Sequence, residues 1–107
     1  MHTTMATFRV RGGAEQELAT LLDRHHETIV RLGYGGAARP VRLLQHGADG
    51  PTMFEIFDWL DDAIGRAAQD PKVQALWREI DRLCERRSDR PATDFLQVVR
   101  LQPGSAR

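Results

Sequence analysis

The sequence has no asparagine, one cysteine and one lysine, and only 7% of its 107 residues are aromatic. The missing asparagine excludes any mechanism that relies on that side-chain amide. A lone Cys84 excludes an intramolecular disulfide and any multi-cysteine zinc site, and it fits a reducing compartment. No apolar run approaches the ~18–20 residues of a membrane span, and the first residues carry no apolar signal core. A cytoplasmic protein with no membrane partner is expected. Charge of one sign is also missing, since fifteen Lys and Arg balance fifteen Asp and Glu. That balance removes the basic footprint of a nucleic-acid binder, and no nucleic-acid partner is expected. Gly33, Gly35 and Gly36 follow a helix rather than a strand, so they are no phosphate loop. Ser88 and Ser105 sit in no nucleophile elbow. The four histidines recur at no metal-ligand spacing, and neither a metal nor a cofactor is expected.

What the chain does contain is a clear change of period along its length. Met5 to Arg11 alternate, with Ala6, Phe8 and Val10 opposite Thr7, Arg9 and Arg11, which predicts a strand that stops at Gly12-Gly13. From Ala14 the period becomes helical through Leu18, Leu21, Leu22, His25, Ile29 and Leu32. Early Glu15 and Glu17 and late Arg31 suit the helix dipole, and Gly33 suits the C-terminal cap. Pro40 to Gln45 reads as a second strand. The turn cluster His46 to Pro51 leads to a third over Thr52 to Leu60. On that third strand Met53, Glu55, Phe57 and Trp59 share one face, and Phe54, Ile56, Asp58 and Leu60 the other. A strand apolar on both sides needs cover on both sides. Asp61 or Asp62 is expected to cap a helix through Ala63, Ile64, Ala67 and Ala68. Asp70-Pro71 then restarts it, with Val73, Leu76, Trp77, Ile80, Leu83 and Cys84 on one stripe. Asp94 to Leu101 predicts the last strand, followed by a frayed tail over 103–107.

The order β-α-β-β-α-β predicts a single ferredoxin-like α+β domain over residues 1–102. Both helices would cover one face of a four-stranded antiparallel sheet. The other face would be left apolar along the third strand, so a homodimer joined sheet to sheet is expected.

His25 is the sharpest candidate for chemistry, because it falls in the middle of the stripe set by Leu18, Leu22 and Ile29. An imidazole there either relays protons near pH 7 or is a packed core histidine. His26 falls about 100° further round, at the rim. Glu55 and Asp58 are acids on a strand covered on both faces, so each is either paired with arginine or held at a raised pKa. Glu55 beside an apolar pocket could serve as a base. Tyr34, Phe54, Trp59 and Trp77 are either core and edge aromatics or the walls of a site for a planar ligand. The small Ala63, Ala67 and Ala68 either leave space or permit close packing. Cys84, on the core stripe, is expected to be inert.

Three blocks, TFRVRGG, LLDRHHETIVRLG and above all FEIFDWLDDAIGRAAQDPKVQALWREIDRLCE, resemble the dimeric α+β barrel superfamily. Within it they resemble the antibiotic biosynthesis monooxygenase-like proteins, over nearly the whole chain. The resemblance implies a small cofactor-independent enzyme of secondary metabolism, acting on an aromatic or polyketide-like substrate held between helices and sheet. A polyketide cyclase and a non-catalytic dimeric small-molecule-binding or structural protein are the alternatives that the same superfamily offers. Relatives commonly carry a His-Trp pair where this chain has His25-His26. Haem-degrading members use an Asn/Trp/His set, which a chain without asparagine does not supply.

Overall fold

In a computed structural model that describes residues 1–103, seven elements follow in order. They are β1 (His2–Phe8), α1 (Glu15–Arg31), β2 (Val41–Gly47), β3 (Gly50–Trp59), α2 (Ala63–Ala68), α3 (Pro71–Arg82) and β4 (Thr93–Val98). The strands form one antiparallel sheet in the order β2-β3-β1-β4. This is the ferredoxin-like arrangement expected from the sequence. Beyond residue 103, the frayed tail expected over 103–107 lies outside the described residues.

The period of two on β3 sorts the sheet into two unlike faces. Met53, Glu55, Phe57 and Trp59 are buried, and they align in register with Ala6, Phe8 and Thr4 on β1. Leu18, Leu22, His25 and Ile29 of α1 and Val73, Leu76 and Ile80 of α3 are buried with them. The opposite face carries a row of apolar side chains that crosses all four strands: Val41, Ile56, Met5 and Leu96 are successive partners. No helix covers this row, and Val41 and Leu96 are exposed.

Several boundaries differ from expectation for physical reasons. Strand β1 begins at His2 rather than Met5, because Thr3 and Thr4 pair with Asp58 and Phe57 and the Thr3 hydroxyl donates to Asp58 at 2.7 Å. His2, expected on a loose terminus, faces Trp59 across the ladder and meets Gln97 at 2.8 Å. Strand β4 stops at Val98, where its pairing with β1 ends at Thr3, and Val99 and Leu101 stay exposed. The Asp62 carboxylate does not cap α2: the residue adopts φ 61° and accepts no cap bond, while Asp61 pairs with the N-terminal amine at 2.6 Å. Asp70 does cap α3, accepting from the Lys72 amide at 2.9 Å, with Pro71 in the first turn.

The β2–β3 hairpin is tighter than the turn cluster suggests, with Gly47 paired to Gly50 around Ala48 and Asp49. Pro51 is tolerated inside β3 because the β1 ladder stops at Met53, leaving β2 as the sole flank there. Gly50 makes the closure possible in two ways. It adopts φ +126°, and any Cβ on it would lie 2.7 Å from the buried Arg87 guanidinium. That guanidinium donates to the Val10 carbonyl at 2.5 Å and to the Thr52 hydroxyl at 3.3 Å. Gly50→Ala should therefore cost about 1–3 kcal/mol through backbone strain and the displaced arginine. Gly65, inside α2 with open space around its Cα, is the contrast. Gly65→Ala should gain about 0.5–1 kcal/mol. Urea unfolding checks both, and an undiminished stability for Gly50→Ala would refute the hairpin argument.

Candidate active site

A cavity of about 380 Å³ opens between the helices and the inner sheet face. His25 and Leu22 of α1, Trp77 and Ile80 of α3, and Glu55, Phe57 and Trp59 of β3 line it, with Phe8, Ile64 and Phe95. Most of the wall is hydrocarbon and aromatic ring, and Thr4, Thr93 and Asp81 join His25 and Glu55 as its polar residues.

Local structure explains how these groups meet. Gly35 passes so close to Ile29 that a Cβ would sit 2.7 Å from its side chain, and there it bridges Trp59. The Leu60 amide donates to the Tyr34 carbonyl at 2.8 Å beside that bridge. The end of β3 is thus tied to the loop after α1, which fixes Trp59 near His25. The ring centroids of His25 and Trp59 lie 6.2 Å apart, those of His25 and Phe57 6.1 Å, and those of Phe57 and Trp59 5.3 Å, all edge to face. Such edge-to-face packing places the positive ring edge against the negative face of its neighbour.

Glu55 lies only 2% exposed on the inner face, directly across from Arg42 in the register. Arg42 Nε donates to Glu55 Oε2 at 2.7 Å, and its Nη1 bonds Asp23 of α1. Burial pushes the Glu55 carboxyl above the usual carboxylate range, against the opposing pull of Arg42. The second oxygen, Oε1, receives no hydrogen bond from the described residues. A carboxylate with one oxygen anchored and the other free beside a cavity is placed to accept a proton.

His25 is a different kind of group from the one its sequence position suggests. Trp77 Nε1 donates to His25 Nε2 at 3.0 Å. Burial, with smaller contributions from His26 and Arg42, pulls its pKa from 6.5 down to about 4. The ring is neutral at pH 7, and its acceptor nitrogen is already occupied.

Not all the expected site residues converge. His25, Glu55, Trp59 and Trp77 line the cavity; His26, Tyr34 and Phe54 do not. His26 turns to the Gly36 carbonyl at 3.3 Å, as its rim position predicts. The Tyr34 hydroxyl donates to the capping carboxylate of Asp70 at 2.8 Å, and the Arg66 guanidinium lies 5.6 Å from its ring centroid. That hydroxyl holds the Asp70 carboxyl below the usual range, with help from the Lys72 amide. Phe54 projects from the outer face, in register with Leu43 and Thr7. The alanines resolve toward close packing, with Ala63 and Ala67 fully buried. Asp58 is anchored on the outer face by Thr3 and, at 3.5 Å, by Arg100. Cys84 is buried, its thiol pushed up to about 11, chiefly by burial. Among the described residues no three His, Cys, Asp or Glu side chains gather as a metal-ligand set. Sequence reasoning missed Arg42 and Phe57 as site residues, although both lie in strands where alternation places them on the inner face.

The depressed pKa of His25 has a definite sign in stability. Above 6.5 the imidazole is neutral in both folded and unfolded chains, and its contribution is complete. Between 6.5 and about 4 the unfolded chain takes up a proton that the folded one refuses. Stability should therefore fall over that window by up to about 3 kcal/mol. His25→Leu should lack that loss, so its stability relative to wild type should rise by up to the same amount between about pH 7.5 and about pH 4.5. Parallel pH profiles would show that His25 titrates normally.

No family model matches the chain, and no curated protein matches it. Solved structures do. One is SnoaB, a cofactor-independent oxygenase from Streptomyces nogalater, at 17% identity and TM-score 0.67, over 97% of this chain and 96% of the other. A second is an antibiotic biosynthesis monooxygenase, at 14% identity and TM-score 0.64, over 95% and 100%. A third is a dimeric ferredoxin-like protein of unknown function from Jannaschia sp. CCS1, at 12% identity and TM-score 0.51, over 92% and 97%. The chain has the ferredoxin-like α+β fold of the antibiotic biosynthesis monooxygenase-like proteins.

Proposed function

We propose that the cavity binds a planar aromatic or polyketide-like molecule, and that the protein acts on it as a cofactor-independent, monooxygenase-like enzyme of secondary metabolism. The observation that carries this reading is the apolar cavity of about 380 Å³ that both Glu55 and His25 line. The likeness to a cofactor-independent oxygenase supports it. Glu55 takes a proton from the acidic carbon or hydroxyl of the substrate, and His25 donates a hydrogen bond to the oxygen that gains charge. Phe57, Trp59 and Trp77 form the walls, and exclusion of water strengthens both polar contacts. The deprotonated substrate is then electron-rich enough to reduce O₂ itself. In an aldol-type cyclisation, the runner-up reaction, the same carbanion attacks a carbonyl of the substrate.

Anthrone in air is the direct test, since it gains one oxygen atom from O₂ as it loses two hydrogens to form anthraquinone and water. The protein should accelerate quinone formation above the buffer rate. Glu55→Gln should lower that acceleration by about 100-fold or more, as expected for loss of a general base. His26→Leu, outside the cavity, should have little effect. No acceleration by the wild type, together with no binding of anthrone, would refute the reading.

The apolar outer face supports a second copy of the chain as its cover. The row Val41, Ile56, Met5 and Leu96 is continuous across the sheet, and Leu43, 60% exposed, extends it beside Phe54. Exposed patches of this kind mark association surfaces. Ile56→Lys, at the centre of that row, should convert a dimer to monomer or aggregate in sedimentation. A wild type that sediments as a stable monomer at micromolar concentration would refute the dimer.

A further inference from the structure

The bond between Trp77 and His25 decides more than the orientation of a ring. An indole N–H only donates, and a neutral imidazole has one donor and one acceptor nitrogen. With Nε2 accepting from Trp77 at 3.0 Å, the proton must reside on Nδ1. No described residue bonds Nδ1. Among the described residues, Arg87 Nε is the one fully buried side-chain nitrogen or oxygen without a partner, so His25 Nδ1 is not sealed away. It therefore faces the cavity that the ring lines. Phe57 and Trp59, both edge to face with the imidazole, restrict its rotation.

We infer that Trp77 is a positioning residue that presents His25 to the cavity as a fixed Nδ1–H donor, so that the site selects aromatic ligands bearing an acceptor oxygen, such as a ketone or an enolate. The inference rests on the cavity being a ligand site and adds the chemistry it selects. Glu55 offers the complementary half, an acceptor. A hydrocarbon of the same shape leaves the Nδ1–H without a partner and is penalised for it.

Two measurements test this on the intact protein. In ¹⁵N-histidine-labelled wild type, the NMR signature of His25 should show a protonated Nδ1 and an unprotonated Nε2 near neutral pH. In Trp77→Phe, which keeps a ring but loses the donor, the Nε2-protonated form should appear. A wild type already protonated on Nε2 overturns the inference. In NMR titrations, fluorenone should bind the wild type about fivefold or more tightly than fluorene, the same skeleton without the oxygen, as expected for one hydrogen bond. His25→Leu should erase that preference. Equal affinities would overturn the inference while leaving the cavity as a ligand site, and binding of neither would overturn both. Should Trp77→Phe fail to fold, the two wild-type measurements still decide.

Discussion

A carboxylate at the centre of an apolar sheet face is the constraint on which the rest of this structure turns. Moving an ion from water to a protein interior costs several kcal/mol, and it is tolerated only with a partner of good geometry. Glu55 has that partner in Arg42, its neighbour across the β2–β3 ladder, and Arg42 in turn reaches Asp23 on α1. One arginine thus joins two strands and a helix around a single buried charge. The pair satisfies only one oxygen of Glu55. Glu55 also lines the cavity between the helices and the sheet.

The same strand sets the two-sided character of the molecule. β3 lies between β1 and β2, so its alternation is imposed on both neighbours through the register. One face feeds Met53, Phe57 and Trp59 into the core beneath α1 and α3. The other feeds Ile56 and Phe54 into a row with Met5 and Val41 that no helix covers. A one-residue slip would exchange the faces and bury Asp58 and Phe54 where Glu55 and Phe57 now lie, so the register carries both the cavity lining and the uncovered apolar row.

Within the cavity the two titratable groups are pushed in opposite senses of charge by the same cause. Burial disfavours the charged form of each, raising the carboxyl of Glu55 and lowering the imidazole of His25. Glu55 is held there by Arg42 and His25 by Trp77.

The sequence by itself determined the order of elements, the capped restart at Asp70-Pro71 and the division of β3 into two faces. These depend on periodicity and on local backbone preferences, which neighbouring residues carry. It also placed His25 on the inward stripe of α1 and grouped Glu55 with Met53, Phe57 and Trp59 on one face of β3, while which face the helices cover came only from the fold. It did not determine which aromatics share the cavity. Tyr34 is drawn to the Asp70 cap and Phe54 to the outer face, while Phe57 enters the site. Nor could it reveal that Trp77, 52 residues from His25 along the chain, donates to the imidazole at 3.0 Å. The strand ends likewise waited on partners: β4 stops where its pairing with β1 ends, and β1 extends because Asp58 accepts a hydrogen bond from the Thr3 hydroxyl. Periodicity fixes which way a side chain points, but only the packing of α1, α3 and the sheet fixes what it meets there.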